Sequence, residues 1–303
     1  MTDRRAVLKT LALLPLAGCA TPPASRTATP TTPTGTTTTT TSAAPVRHDA
    51  LFELEKKYDA RLGVYAMSDT GRTIEHRADE RFAFCSTFKG LAAAAVLHRN
   101  PMAHLDTVVT YTEADLMKSS AITQRNVGTG MKLRDLCDAA VRHSDGTAGN
   151  LLLRDLGGPA ELTGYLRELG DTETRMDRVE PDITSAVPGD PRDTATPRSL
   201  GTDYQRLVLG DALPRDKRDF LNDLLERSVT GARRVRAGVP AGSRVASKTG
   251  TGSYGTVNDI AVVWPPGREP LLIAVMSSKR AADANYDEAL VAEAAAYVVE
   301  TLT

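Results

Sequence analysis

Residues 86–97 read STFKGLAAAAVL, and at this stretch the character of the chain changes. Every residue over 91–97 is apolar or alanine, which predicts a helix buried on all sides. Strand-like segments come before this helix, and helical patterns dominate over about residues 87–227. Ser86 lies where free backbone N–H groups and the positive end of the helix dipole converge. The stretch therefore predicts a buried central helix with a serine at its start.

Sheet-forming segments lie at both ends of the chain. Residues 62–67 and 73–77 have the pattern of a hairpin, and residues 259–264 and 271–277 that of two later strands. A closing helix is expected over about residues 286–302. Because strands lie at both ends and helices between them, the sequence predicts an α+β fold. One lobe is built from both chain ends, and an all-α lobe is inserted into it.

Residues 1–18 have the features of an export signal peptide. A basic start with Arg4 and Arg5 precedes an apolar stretch, residues 7–17, that is short for a membrane span. The arginine pair also resembles a twin-arginine export signal, from which Asp3 departs because serine or threonine is usual there. We therefore expect an exported protein of the cell envelope, with the general secretory and twin-arginine routes both open.

Cys19 ends the run LAGC, which resembles a bacterial lipobox. In such signals the cysteine is lipidated and becomes the mature N-terminus; the alternative is an ordinary cleaved signal with an incidental cysteine. A lipid at Cys19 is the only membrane attachment that we expect. Residues 19–48 are rich in Thr and Pro, which predicts a disordered tether or a mere spacer. The folded domain is expected to span 49–303, with an α lobe at about 87–227 and an α+β lobe at 49–86 and 228–303.

Ser86 and Lys89 form the first candidate pair. Lys89 comes three residues after Ser86 and returns to the same helix face one turn deeper. A buried lysine loses affinity for its proton and could accept one from the serine. Taken alone, the pair is more simply a helix-capping serine followed by a lysine that reaches towards water.

Ser144-Asp145-Gly146 is the second candidate element, between helical patterns at 133–142 and 148–156. A hydroxyl in such an elbow can relay a proton to a leaving group. Taken alone, the element is a turn with a helix cap.

Lys248-Thr249-Gly250 is the third, and residues 245–247 lead into it as a short strand. A cation and a hydroxyl here would hold a substrate carboxylate. Residues 250–255 also fit GxGxxG, but a dinucleotide site needs a helix to follow, and the next pattern is a strand. Glu180 is the fourth candidate, in a loop rich in Pro, Gly and Asp that closes near Arg192-Asp193; taken alone it is a solvated acid.

Charge and composition exclude several other functions. The formal net charge of -1 offers no electrostatic case for nucleic acid. The five histidines and three cysteines show no zinc-ligand spacing, and HExxH is absent, so we expect neither a metal nor another cofactor. We expect a monomer that acts on a small molecule.

Together and in order, the SxxK, SDN-like and KTG elements are the set shared by class A β-lactamases and penicillin-binding proteins. From Asp49 to Thr303 the chain resembles the class A β-lactamases, and the matching motifs are Cys85–Lys89, Ser144–Ala148, the Ω-loop element Arg175–Pro181, and Lys248–Gly252. The resemblance implies the β-lactamase/transpeptidase-like fold, in which an antiparallel five-stranded sheet lobe and an α lobe enclose the active site.

The resemblance also implies the role of each residue. Ser86 would attack the β-lactam carbonyl of a penicillin or cephalosporin, and either Lys89 or Glu180 would take its proton. The backbone N–H groups of Ser86 and Thr251 would form the oxyanion hole. Ser144 would pass a proton to the leaving nitrogen, and Glu180 would activate the deacylating water. The remaining roles are substrate binding by Lys248, Thr249, Gly250, Thr251, Arg234 and Gly146, and support of the loop by an Arg178–Asp193 pair.

Several positions depart from the family pattern. Thr184 stands where an Asn usually helps to hold the deacylating water, so either slower deacylation or a tolerated change is possible. Gly146 replaces the usual Asn, and Ser119 stands where relatives often carry an aromatic residue at the cleft mouth. Cys85 and Cys137 lack the partners that they have in some relatives, so both are predicted to be buried free thiols.

Two rival functions stay open on the sequence. A penicillin-binding DD-peptidase would share Ser86, Lys89 and the KTG element, but Glu180 argues against it. A non-catalytic β-lactam sensor would be acylated and stay acylated. Hydrolysis of a chromogenic cephalosporin, measured beside a Glu180→Gln variant, separates these functions from a β-lactamase.

Overall fold

Residues 46–303 are described by the structure, a computed structural model. A five-stranded antiparallel sheet in the order β2-β1-β9-β8-β7 joins the two ends of this part of the chain. Its strands are β1 (Arg61–Met67), β2 (Thr73–His76), β7 (Arg244–Thr251), β8 (Val257–Trp264) and β9 (Leu271–Ser278). Strands β8 and β9 are buried at almost every residue, because helices cover both faces of the sheet. The predicted signal peptide and Cys19 lie outside the described residues, as does most of the predicted tether.

Helices pack on the two faces of this sheet in different groups. One face carries α1 (Asp49–Tyr58), α8 (Val235–Gly238) and α9 (Glu288–Leu302), which enclose an apolar cluster with residues such as Val64 and Ile273. The other face is covered by α6 (Pro197–Val208), beyond which the helical lobe follows. The sheet thus separates two hydrophobic clusters, and the larger one continues into the helical lobe.

The helical lobe is built around α2 (Phe88–Arg99), whose residues are buried from Phe88 to Leu97. The helices around it are α3 (Leu133–Arg142), α4 (Gly146–Leu156), α5 (Pro159–Glu168) and α7 (Arg215–Glu226). A helix that is apolar on every side needs such a complete ring of neighbours, as the alanine-rich sequence predicted.

Two short strand pairs complete the fold. Strand β3 (Phe82–Ala83) pairs with β6 (Thr194–Ala195), and β4 (Val108–Val109) pairs with β5 (Met131–Lys132). The β3–β6 pair ties the end of the Glu180 loop to the segment that leads into Ser86. Backbone hydrogen bonds therefore join the chain just before Ser86 to the chain just after the Glu180 loop.

The predicted α+β fold, with a five-stranded antiparallel sheet and an inserted helical lobe, is confirmed. The strand predicted at 245–247 is longer, because its pairing with β8 continues to Thr251 and takes in the KTG motif. The helix predicted to start at Ala148 starts at Gly146, since Asp145 caps it by accepting a hydrogen bond from the backbone N–H of Ala148. The GxGxxG match spans the end of β7 and the turn before β8, so a strand and not a helix follows it, as expected for a chance match.

Within residues 46–303, no helix combines the length and the apolar character needed to cross a membrane. The same part of the chain holds no cluster of His, Cys, Asp and Glu side chains suited to a metal ion.

Candidate active site

Ser86 lies in a tight helical turn, Cys85–Thr87, directly before α2. Cys85 has a positive φ of 48°, and this turn of the backbone presents Ser86 between the two lobes. Tyr204 of α6 fixes the turn from behind, because its hydroxyl donates a 2.7 Å hydrogen bond to the carbonyl of Thr87. Ser86 is only 9% exposed. The nucleophile candidate is therefore largely buried, and a hydrogen bond from α6 holds the backbone beside it.

Lys89 lies one helical turn below Ser86 and is fully buried. Its Nζ donates to Ser86 Oγ at 3.0 Å and to the carbonyl oxygen of Ser144 at 2.8 Å, and it lies 2.5 Å from Glu180 Oε1. Burial lowers the pKa of Lys89, while the Glu180 carboxylate raises it. Gly149 of α4 makes room for this lysine, since a Cβ there would lie 2.7 Å from Lys89 Cε.

Glu180 reaches the same point from the opposite side. Its Oε1 accepts a 3.2 Å hydrogen bond from Ser86 Oγ, and the residue is 6% exposed. Asn150 of α4 holds the backbone of Glu180 twice, by donating from Nδ2 to its carbonyl at 2.9 Å and by accepting from its N–H at 3.0 Å. Since both bonds come from one side chain, α4 sets the height of the Glu180 carboxylate above Ser86.

Ser144 and Lys248 form the second polar pair. Ser144 has a positive φ of 57°, and Lys248 Nζ donates to its Oγ at 3.0 Å. Lys248 is fully buried on β7, and its pKa is lowered well below the ordinary value by burial and then by the charges of Lys89 and Arg234. A weakly held proton next to a hydroxyl is what a proton relay requires.

Arg234 directly precedes α8 in the chain, and its side chain lies beside β7, the strand that carries the KTG motif. Its guanidinium donates to Thr251 Oγ1 at 2.7 Å and to the carbonyl of Gly250 at 3.0 Å, and the residue is 4% exposed. Thr249 Oγ1 lies 2.7 Å from the hydroxyl of Thr230. The structure thus brings the predicted cations and hydroxyls of this group onto one edge of the cleft.

The loop that carries Glu180 is closed at its neck by Arg178 and Asp193. Arg178 Nε lies 2.5 Å from Asp193 Oδ2, and the Asp193 side chain is 1% exposed. Asp193 Oδ1 also accepts hydrogen bonds from the backbone N–H groups of Asp177 and Arg178, at 2.8 and 2.9 Å. The expected pair is therefore present, and its acid also organises the loop backbone.

Comparisons with known proteins agree with this geometry. The sequence profile described as the β-lactamase enzyme family matches residues 47–302. A β-lactamase of Mycobacterium tuberculosis is 56% identical over 262 residues, which make up 84% of this chain and 85% of that protein. The chain belongs to the class A β-lactamase family. It is a β-lactamase, an enzyme that hydrolyses β-lactams.

Solved structures support the same assignment for this β-lactamase. The enzyme from Streptomyces albus G has a TM-score of 0.82 at 44% identity, over 84% of this chain and 98% of that chain. A mutant of the class A β-lactamase of the last common ancestor of Gram-negative bacteria has a TM-score of 0.80 at 50% identity, over 84% of this chain and 97% of that chain.

Gly146 occupies a crowded position in this β-lactamase. A Cβ there would lie 2.5 Å from Ser119 Oγ and 2.7 Å from Glu180 Oε2. Because glycine leaves that space free, Ser119 Oγ can donate to Glu180 Oε2 at 3.4 Å. In place of an aromatic contact for substrate, Ser119 thus gives the β-lactamase a hydroxyl beside its acid.

Thr184 is half-buried, and its hydroxyl donates to the carbonyl of Pro181 at 2.7 Å. Its proton is therefore used within the loop, and only its lone pairs remain for a water molecule. The role of Thr184 in holding that water stays a prediction.

Cys85 and Cys137 are both buried free thiols, which confirms the prediction for these two residues. Burial raises the pKa of each to about 12, so neither is a thiolate near neutral pH.

Sequence reasoning missed three contributors to the site of the β-lactamase: Asn150, Thr230 and the hydroxyl of Ser119. Asn150 comes four residues after Gly146 on α4, so helical spacing from the second motif could have found it. Thr230 and Ser119 lie in irregular segments whose approach to the site has no signal in the sequence.

Proposed function

We propose that this β-lactamase hydrolyses penicillins and cephalosporins through an ester on Ser86, which Glu180 then helps to hydrolyse. The observation that carries the proposal is the position of Lys89 Nζ, 3.0 Å from Ser86 Oγ and 2.5 Å from Glu180 Oε1. The Ser86 hydroxyl thus has two groups within reach that can take its proton, and the two are in contact with each other.

Acylation begins when Ser86 Oγ attacks the β-lactam carbonyl and its proton leaves for Lys89 or Glu180. Both routes are supported by distance, because Ser86 Oγ lies 3.2 Å from Glu180 Oε1 as well as near Lys89. Lys89 becomes a proton acceptor once its own proton has passed to Glu180 across their 2.5 Å contact, and burial favours this transfer because it lowers the pKa of Lys89. The backbone N–H groups of Ser86 and Thr251 stabilise the oxyanion, each contributing about 3 kcal/mol.

Collapse of the tetrahedral adduct breaks the C–N bond of the lactam ring, and the nitrogen needs a proton. Ser144 supplies it, since its Oγ is fixed by Lys248 Nζ at 3.0 Å and its backbone carbonyl contacts Lys89. The substrate carboxylate is held by Lys248, Thr249, Thr251 and Arg234, with the backbone of Gly250 beside it and Gly146 near the substrate amide.

Deacylation uses the same carboxylate in its second role. Glu180 takes a proton from a water molecule, the hydroxide attacks the ester carbonyl, and Ser86 Oγ leaves with the proton that Glu180 returns to it across 3.2 Å. The Arg178–Asp193 pair and Asn150 keep the carboxylate in place. Thr184 offers that water a lone pair only, because its proton goes to Pro181.

We further propose that the enzyme is exported, anchored through a lipid on Cys19, and active as a monomer that protects the cell from β-lactams. These proposals rest on the basic start with Arg4-Arg5, the LAGC run ending at Cys19, and the Thr-rich stretch that follows. Mass spectrometry of the mature N-terminus tests the anchor, and an unmodified Cys19 would contradict it.

The deciding experiment measures turnover of a chromogenic cephalosporin by the parent, Ser86→Ala and Glu180→Gln proteins. We expect rapid turnover by the parent, no turnover by Ser86→Ala, and an accumulating acyl-enzyme on Glu180→Gln that mass spectrometry detects. A stoichiometric burst in both the parent and Glu180→Gln would favour a sensor. Release of D-alanine from a peptide without lactam turnover would favour a DD-peptidase.

A further inference from the structure

Asp259 is a buried acid beside the strand that carries the KTG motif. On β8 it pairs with Thr249 of β7, and it is fully buried. Val257 and Ala261, its neighbours on the same face of β8, belong to the apolar cluster beneath α8 and α9. A carboxyl group in such surroundings is unfavourable unless hydrogen bonds or opposite charges offset its burial.

The hydrogen bonds of Asp259 lead towards the substrate site. Its Oδ2 accepts from the backbone N–H of Val235 at 3.2 Å, while Oδ1 has no partner within residues 46–303. The buried hydroxyl of Ser247 lies on the same side of the sheet, and it makes no hydrogen bond within residues 46–303. Gly231 closes the space, since a Cβ there would lie 3.4 Å from Asp259 Oδ2 and from Ser247 Oγ.

Val235 is the first residue of α8 and directly follows Arg234. Asp259 therefore fixes the backbone next to the arginine that donates to Thr251 Oγ1 and to the carbonyl of Gly250. Arg234 is the charged group nearest to Asp259 on this side of the sheet, and Lys248 of β7 and Tyr204 of α6 act on it through the sheet, from the opposite face. Arg234 is also paired with Glu288 of α9, at 3.2 Å.

We propose that Asp259 is a positioning residue for the substrate-carboxylate subsite, where its ionised carboxylate anchors Val235 and supports the positive charges of Arg234 and Lys248. The inference rests on the proposed function, because it requires that this subsite binds the carboxylate of a β-lactam. The Ser247 hydroxyl lies on the same side of the sheet as this carboxylate, and Asp259 itself does not contact substrate.

The proposal implies a pH dependence of binding. Burial raises the pKa of Asp259 to about 6, although Arg234, Val235, Lys248 and Ser247 all favour its charged form. Asp259 is therefore ionised above this pH and protonated below it. When it is protonated, the anchor on Val235 weakens and Lys248 and Arg234 lose a balancing charge, so a substrate carboxylate binds less tightly.

The same raised pKa has an opposite effect on folding stability. Between the ordinary pKa of an aspartate and about 6, the folded protein binds more protons than the unfolded chain, so stability falls as the pH rises through this window. An Asp259→Asn substitution is therefore not expected to lower Tm at neutral pH. A retained Tm separates a loss of binding from a loss of folding.

The test uses Ser86→Ala protein, in which binding is measured without acylation. The Kd for benzylpenicillin is determined by calorimetry from about pH 5 to about pH 8, a range over which the ligand carboxylate stays ionised. We expect Kd to rise about tenfold towards acid, with an inflection near pH 6. When Asp259→Asn is added, we expect the Kd to equal the high value of the acid form at every pH, without an inflection. In the protein with Ser86 restored, Asp259→Asn is expected to raise KM more than it lowers kcat.

Two further variants make the outcome decisive. Asp203→Asn removes another fully buried acid, on α6 and outside the subsite, and should leave the inflection in place. Ser247→Ala removes a hydroxyl that favours the charged form of Asp259, so the inflection should move to higher pH. A Kd profile that neither Asp259→Asn nor Ser247→Ala changes would overturn the proposal. Persistent turnover by Ser86→Ala would instead overturn the proposed function.

Discussion

Lys89 and Glu180 form a buried ion pair, with Nζ 2.5 Å from Oε1, although one residue lies in the central helix and the other in a long loop. The lysine side chain is 0% exposed and the glutamate side chain 7% exposed. In such surroundings, removing one partner leaves an uncompensated charge, which is strongly unfavourable. The position of the loop is therefore coupled to the charge state of Lys89.

Breaking the neck of the loop should loosen Glu180. We expect Arg178→Ala to lower the free energy of unfolding by about 2 kcal/mol, or Tm by roughly 4–8 °C, because it leaves the buried Asp193 carboxylate without its cation. We also expect kcat to fall, since Asn150 then holds the Glu180 backbone without the support of the Arg178–Asp193 pair. Thermal unfolding and steady-state kinetics measure the two effects.

Arg175→Ala, which removes the exposed partner of Asp177, is the matched control and should change both the free energy of unfolding and kcat by little. Equal effects of the two substitutions would contradict a special role for the neck.

A side chain at position 146 should displace the Glu180 carboxylate. We expect Gly146→Ala to lower kcat about tenfold, because its Cβ would lie 2.7 Å from Glu180 Oε2 and 2.5 Å from Ser119 Oγ. Adding Ser119→Gly removes one of the two clashes, so the double variant should recover part of the rate. Gly164→Ala on α5 is the control, since its Cβ meets no atom nearer than 4.0 Å and alanine favours a helix. A full rate in Gly146→Ala would show that the carboxylate moves aside without penalty.

Thr184 should slow the hydrolysis of the acyl-enzyme. We expect Thr184→Asn to shorten the lifetime of the acyl-enzyme, because an amide reaches further than a hydroxyl that already donates to Pro181. Single-turnover mass spectrometry measures that lifetime. Asp182→Asn, an exposed position in the same short helical turn, is the control. If the parent and Thr184→Asn have equal lifetimes, the water does not depend on this side chain.

The thiols of Cys85 and Cys137 should be unreactive in the folded enzyme. With pKa values raised to about 12, only roughly one thiol in ten thousand is ionised near pH 8, and both are buried. A disulfide reagent should therefore react with neither thiol in the folded protein and with both after denaturation in guanidinium. A denatured protein with no reactive thiol would mean that the two are paired, and rapid reaction of the folded protein would mean that one is accessible.

The sequence by itself determined the nature of the fold, and its motifs supplied the candidates for the reacting groups. The all-apolar run 91–97 demands a helix surrounded by others, and strands at both chain ends demand a sheet that joins those ends. Ser86, Lys89, Ser144 and Lys248 lie in short motifs that are each ambiguous alone, and they could be grouped because the order of these motifs resembles that of the class A β-lactamases.

The tertiary structure alone decided which groups meet across the cleft and how their protons are held. The contacts of Asn150 with Glu180, of Thr230 with Thr249 and of Asp259 with Val235 each join segments that no periodicity relates. The lowered pKa values of Lys89 and Lys248 likewise arise from burial, which depends on every neighbour at once. A sequence pattern carries the direction of a side chain on its own helix or strand, but desolvation and long-range contacts exist only after the lobes have packed.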